Sequence, residues 1–193
     1  MGGLSIGALH NHYLFENPRV IFAHVEGSGD AAVVAMAIRA ALQQTGNVIS
    51  PHSSSGTGLA AATIGTTLGG KTEISQGVVH QTINRTDSFM LFGAAVPAEM
   101  GAQSMVSVQQ VAGGQAMFAF EIAALPKELP AVMALLRVNG IQITGVHNHA
   151  VSMQPPLFYI HASAVGDSGA IAATIRAALD RTSAQTSGSS SKP

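Results

Sequence analysis

Six of the eight histidines fall into two triplets of identical spacing, His10, His12 and His24 and then His147, His149 and His161. In a strand, residues i and i+2 point to the same face, so each His-x-His pair presents two imidazoles side by side, the spacing at which two nitrogens share one metal ion. The third histidine reaches the same face if it lies on the return strand of a hairpin, opposite one or other of the first two. A register slipped by one residue would turn it away. Three neutral imidazoles suit a divalent metal, zinc first, with iron, copper or nickel as alternatives, and they leave a position for water or substrate. A single histidine is more often a structural or surface residue, and the competing explanation is that stacked rings simply hydrogen-bond across a sheet. The recurrence of the triplet is what argues for metal. His52 and His80 stand outside both triplets.

The triplets belong to an internal repeat. Residues 9–45 align with residues 146–182 without a gap, each partner lying 137 positions later, and the identical pairs include Asn11/Asn148, Pro18/Pro155, Asp30/Asp167, Arg39/Arg176 and Thr45/Thr182. Repeats of this kind are read before anything else because they fix the architecture. The copies differ at the turn after the His-x-His. The first reads F-E-N-P-R, with Glu16 and Arg19, and the second S-M-Q-P-P, with Met153 and Pro156. Glu16 is thus a candidate general base or ligand and Arg19 a candidate clamp for an anionic substrate, against the plainer reading of a solvated pair on a hairpin turn.

Each copy reads as strand, turn, strand, helix. Apolar alternation leads into the His-x-His, a proline-containing turn follows, a second apolar run ends at the third histidine, and a Gly-Asp opens a stretch of helical period. Asp30 and Asp167 are expected to cap those helices through backbone N–H groups. Between the copies, Pro51–Gly58 is a Ser/Gly-rich loop, Leu59–Leu68 an Ala-rich helix and Val78–Ile83 a strand. Met105–Val111 and Met117–Ile122 are further strands around a Gly113-Gly114-Gln115 turn, and Leu129–Val138 is a helix between Pro126 and Asn139-Gly140. The expectation is an α+β fold, helices on a mostly antiparallel sheet, as a single domain over residues 1–182. The Ser-rich stretch 183–193 is expected to be a disordered tail.

Composition narrows the function. The chain has 193 residues, no cysteine and a formal charge of -1, with a pI near 6.7. It therefore lacks thiolate sites and the basic footprint of a nucleic-acid binder. No apolar run is long enough for a membrane span and no signal peptide is evident, so a soluble chain is expected, in a compartment the sequence does not fix. With 47% hydrophobic and only 10% charged residues, some apolar surface is expected to be covered by a partner subunit.

Two motifs match a pattern and lack its context. Gly65–Thr72 reads GTTLGGKT, the phosphate-binding pattern, but an Ala-rich helix precedes it where a buried strand should, and a strand follows where a helix should, so no nucleotide partner is expected. Gly3–Gly7 matches the nucleophile-elbow pattern without a strand before Ser5 to carry the turn. Asn84-Arg85-Thr86 is a glycosylation sequon.

The stretch ALHNHYLFENPRVIFAH, the Gly-Asp followed by an IRAAL helix, and a middle segment with INRTD, VPAEMG and VNGIQITGVHNH together resemble the LppY/LpqO family of bacterial proteins over most of residues 8–182. That resemblance implies tandem repeats carrying the HNH and a distant histidine, often in exported lipoproteins, and it implies no reaction. Two departures stand out: no lipoprotein signal is present, and the second copy lacks the E-x-P-R turn.

The residues thus point to a metal-binding protein, as a metal-dependent enzyme on a small-molecule ligand, hydrolase or lyase by default. The alternatives are a non-catalytic metal- or ligand-binding protein and a purely structural repeat. The first copy begins without the elements that precede the second, so the two units are expected to pack as a pseudo-two-fold pair, with a second chain covering the rest in a symmetric homodimer.

Overall fold

A computed structural model describes residues 4–46 and 58–185. The chain runs β1 (Leu4–His10), β2 (Phe22–Gly27), α1 (Ala31–Leu42), α2 (Ala61–Leu68), β3 (Lys71–Ser75), β4 (Val78–Asn84), β5 (Phe89–Leu91), β6 (Ala94–Val96), β7 (Gln103–Gln110), β8 (Ala116–Ala124), α3 (Leu129–Val138), β9 (Gln142–His147), β10 (Phe158–Gly166) and α4 (Ser168–Leu179). This is the expected α+β arrangement. Six strands form one sheet in the order β3-β4-β7-β8-β10-β9, and every neighbouring pair is antiparallel.

Period-two patterning decides the two faces of that sheet. Val79 and Ile83 of β4, Val106 and Val108 of β7, Phe118, Phe120 and Ile122 of β8, and Ile160 and Ala162 of β10 are buried in one core with Ile64 and Leu68 of α2, Val132 and Leu136 of α3, and Ile171, Ile175 and Leu179 of α4. The one polar side chain β4 sends into this core, Gln81, donates to the Gly69 carbonyl and accepts from Thr72 Oγ1 at 2.6 Å, which removes the cost of an unmade hydrogen bond. Residues in alternation with the core set, among them Met105, Ser107, Ala119, Glu121 and His161, occupy the opposite face, away from the helices.

The two hairpin–helix units share two local features. Asp30 and Asp167 accept from the amides of Val33 at 3.0 Å and Ala170 at 2.8 Å, capping α1 and α4. Each turn carries a cis peptide bond, at Asn17-Pro18 and at Gln154-Pro155.

The sequence reading placed α3 residue for residue and β4, β7 and β8 to within a few positions, but passed over β3, β5 and β6. β3 is a polar, exposed strand without alternation, and β5 and β6 are apolar but only three residues each, too short to show a period. Of the Ser/Gly-rich loop, residues 51–57, with His52, lie outside the described residues, as do residues 186–193 of the tail. Residues 183–185 pair with the end of β4: the Thr86 amide donates to the Ser183 carbonyl at 2.9 Å and the Gln185 amide to the Asn84 carbonyl at 2.8 Å. GTTLGGKT runs from the end of α2 into β3, so a helix C-terminus faces its glycines. Lys71 pairs with Glu73 at 2.6 Å in solvent.

Candidate metal centre

The two hairpins that carry the histidines share one register. In β1–β2, His10 stands opposite Phe22 and His24 opposite Ala8; in β9–β10, His147 stands opposite Tyr159 and His161 opposite Gly145. The third histidine therefore sits two residues short of the partner expected for it. Because that offset is even, it still shares the strand face of His10 or His147, while His12 and His149 lie in the bends just past the ends of β1 and β9. Each hairpin skips one residue of its first strand in the pairing, Gly7 in β1 and Thr144 in β9, at the same repeat position. A bulge of this kind re-aims a strand. At Gly7 it also permits a close approach, since a Cβ there would collide with the carbonyl oxygen of His149.

That approach merges the triplets. Where the repeat suggested two separate three-histidine sites, the β1–β2 hairpin lays its histidine face against that of β9–β10, giving one cluster of six rings. His10 and His147 have ring centroids 3.9 Å apart, and His24 and His149 are 3.8 Å apart. The contacts come in matched pairs: His10–His161 at 4.6 Å with His24–His147 at 5.2 Å, and the stack of His12 on Phe22 at 3.8 Å with that of His149 on Tyr159 at 3.5 Å. Tyr159 is the repeat partner of Phe22, and its hydroxyl is held by the Gly101 carbonyl.

Ligand nitrogens of His10, His24, His147 and His161, two from each unit, all lie within 4.8 Å of one another. A tetrahedral ion with imidazole bonds of 2.0–2.1 Å needs its donors about 3.4 Å apart, so atoms at the 4.8 Å limit would have to close by up to about 1.4 Å to share one ion. The Nε2 atoms of His10, His24, His147, His149 and His161 are buried without a hydrogen-bond partner. Buried polar atoms without partners are costly, and five on one cluster mark an arrangement that a cation would relieve.

Electrostatics keep these rings as free bases. Burial is the largest cause at each. It lowers His10 and His24 to about 4, helped by neighbouring histidines, and His149 and His161 to about 2. His12 and His147 are lowered by burial as well, opposed at His12 by the charge of Glu16 and at His147 by a backbone hydrogen bond to Asn148. A neutral imidazole is the form that binds metal.

One residue of the site went unremarked in the sequence. Glu121 of β8 stands opposite His161, with Oε2 3.4 Å from His161 Nε2 and 3.7 Å from His149 Nε2. Burial raises its carboxyl to about 7. With His149 and His161 it makes a second group able to hold an ion. The available signal was its place as the single charged residue of the run AMFAFEIAA, since a carboxylate seldom enters such a strand without a task. Beside it opens a cavity of about 380 Å³, bounded by His12, Phe22 and His24 of the first unit and by Glu121, Gln103 and Ser107 of the sheet.

The turn residues are placed differently. Glu16 Oε1 accepts from the Val20 amide at 3.0 Å and bears on the cluster through its charge near His12. Arg19 is exposed. Neither lines the cavity. His80 sits apart, with Nδ1 3.1 Å from Ser107 Oγ.

The sequence profile of the family described as Domain of Unknown Function (DUF1259) matches residues 1–44 and 62–181. The chain belongs to that family. The matched segments span both hairpins, so the histidine cluster lies within the family domain. Comparison with curated proteins and with solved structures finds no match. Among the described residues no helix is long and apolar enough to cross a membrane.

Proposed function

We propose that this protein binds a divalent metal ion at the junction of its two repeat units and uses it in a reaction on a small molecule held in the adjoining cavity. The observation that carries the reading is the convergence of His10, His24, His147 and His161, all neutral and without hydrogen-bond partners at Nε2. Zinc is the first choice for an all-imidazole set, with copper, nickel or iron as alternatives. His12 and His149, at the flanks, complete the six-histidine ligand set expected from the repeat.

Such an ion supplies a Lewis acid, lowering the pKa of a bound water or polarising a substrate oxygen. The chain's own groups do the rest. Glu121, held near neutrality by burial, accepts or returns a proton at its Oε2, the atom nearest His149 and His161. Phe22 and the sheet face exclude water from one side of the cavity, and Gln103 and Ser107 offer hydrogen bonds to a bound molecule. Glu16 modulates His12 through its charge, and Arg19, exposed on the same turn and outside the cavity lining, is left as the candidate partner for an anionic group of a ligand that extends beyond the cavity. Hydrolysis or elimination is the default reaction class, and the likeness to the LppY/LpqO family adds none.

The second reading, non-catalytic metal binding, is favoured by one feature: four imidazoles around one point leave a tetrahedral ion no open position. The two readings part in a titration of metal-free protein with zinc, followed by probing of the cavity with zinc-binding small molecules such as hydroxamates. Saturable hydroxamate binding that needs zinc and is weakened by Glu121→Gln supports the catalytic reading. Tight zinc binding with no hydroxamate response supports the closed site.

A further inference from the structure

The two hairpin–helix units correspond residue for residue, yet only one of them is covered. α4 buries Ile171, Ala172, Ile175, Ala178 and Leu179 against α2, α3 and the sheet, whereas α1 buries no residue at all. Leu42 is 43% exposed and its counterpart Leu179 fully buried; Val20 is 47% exposed and its counterpart Leu157 1%. β10 lies between β9 and β8, whereas β2 has β1 on one edge and, among the described residues, no strand on the other. The centre shows the same asymmetry. His149 and His161 share the carboxylate of Glu121, but among the described residues no group able to hold an ion joins their counterparts His12 and His24 to a carboxylate.

We infer that the β2–α1 flank is a docking surface for a polypeptide unit of the same build as residues 59–141, whose strand equivalent to β8 pairs with the free edge of β2 and brings a carboxylate to His12 and His24. The interface that would form already exists once in the molecule, between β10–α4 and the unit formed by α2, β8 and α3. Its apolar half recurs on α1, where Ile38 and Leu42, the counterparts of Ile175 and Leu179, face solvent. An unpaired strand edge beside an apolar helix face is a combination that folded proteins cover. A second copy of this chain does not offer the matching surface. Its β8 is already paired on both edges, by β7 and β10, and its α2 and α3 are already packed on its own α4. The docking part stands on burial and strand pairing alone; the carboxylate part rests on the metal reading.

The repeat offset gives the junction for a test. Ile141 precedes Gln142 as Leu4 precedes Ser5, so a second copy of residues 59–141 joined directly ahead of Ser5 of the full chain places the added unit where the flank needs it. Hydrogen exchange is compared in the extended and original chains. The expected result is that amides of β2 and α1 slow at least tenfold, toward the rates of β10 and α4, and that zinc affinity rises. Glu121→Gln confined to the added copy keeps the protection and removes the gain in affinity. Slowed exchange with no zinc bound by either chain upholds docking and removes the carboxylate part along with the metal reading. An added unit that folds while β2 and α1 exchange unchanged, or one that fails to fold on this face, overturns the inference. So does sedimentation of the original chain as a dimer in which β2 and α1 are protected.

Discussion

His10 and His147 are the same residue of the repeat, 137 positions apart in sequence, and their ring centroids lie 3.9 Å apart where the two units meet. His10 lies nearer to His147 of the other hairpin than to His12 and His24 of its own, which stand at 5.0 and 4.9 Å. The metal reading therefore depends on both hairpins at once, and removing a ligand from either should damage a single centre.

His24→Ala and His161→Ala, which occupy equivalent positions, are expected to weaken zinc binding alike, each by more than the roughly 10–100-fold that loss of an outer-shell partner costs. His80→Ala, at a histidine bonded to Ser107, is expected to leave zinc affinity within about twofold. Two independent half-sites would instead show one zinc equivalent surviving each cluster variant at full affinity, as read by calorimetric titration.

Acid should destabilise the metal-free protein. All six clustered histidines have folded-state values below 6.5, so below pH 6.5 the unfolded chain binds protons that the folded chain refuses. Stability is lost as pH falls from 6.5 toward 4, and further for His149 and His161. Glu121, raised to about 7, works in the opposite sense between 4.5 and 7, but it is one group against six. Urea midpoints at pH 7.5 and 5.0 check this, and an equal or higher midpoint at pH 5.0 would contradict it.

Glu121→Gln removes a carboxylate that burial opposes above pH 7. In metal-free protein the variant is expected to be more stable than the parent at pH 8.5, by up to roughly 3 kcal/mol before local relaxation, with the gap closing below pH 5. A gap independent of pH would mean that packing, and not charge, sets the effect.

How much of this was legible beforehand depends on what each residue's neighbours in sequence reveal. Asp30 and Asp167 announced their helices because a cap acts on amides three residues away. The His-x-His pairs announced neighbouring rings, but strand geometry accounts for only one member of each, because His10 and His147 end β1 and β9 while His12 and His149 lie in the bends just past them. The repeat led to the expectation that the two units pack against each other as a pseudo-two-fold pair, but not that their histidine faces merge into one cluster, because which faces meet depends on how two hairpins far apart in sequence pack. Glu121 was hidden for the same reason: its partners are His161 on β10 and His149 in the bend after β9, and periodicity along β8 says nothing of them. Glu16 and Arg19 stood out by differing between copies, yet a turn can vary without reaching the cavity.

The uneven covering of the two units predicts unequal costs for equivalent substitutions. Ile175 is fully buried and its counterpart Ile38 is 39% exposed. Ile175→Ala should cost about 2–5 kcal/mol and Ile38→Ala less than about 1 kcal/mol. Comparable costs from chemical denaturation would mean that α1 is covered in solution.

The central claim is that six histidines from two repeats make one metal centre, and elemental analysis of protein purified without a nickel column tests it most directly. The account predicts a divalent metal, zinc first, near one equivalent or above per chain, lost from the double variant His10→Ala/His147→Ala while the fold is retained by circular dichroism. Metal-free protein whose thermal midpoint does not move when zinc is added would contradict it, leaving the cluster as a packed set of neutral rings.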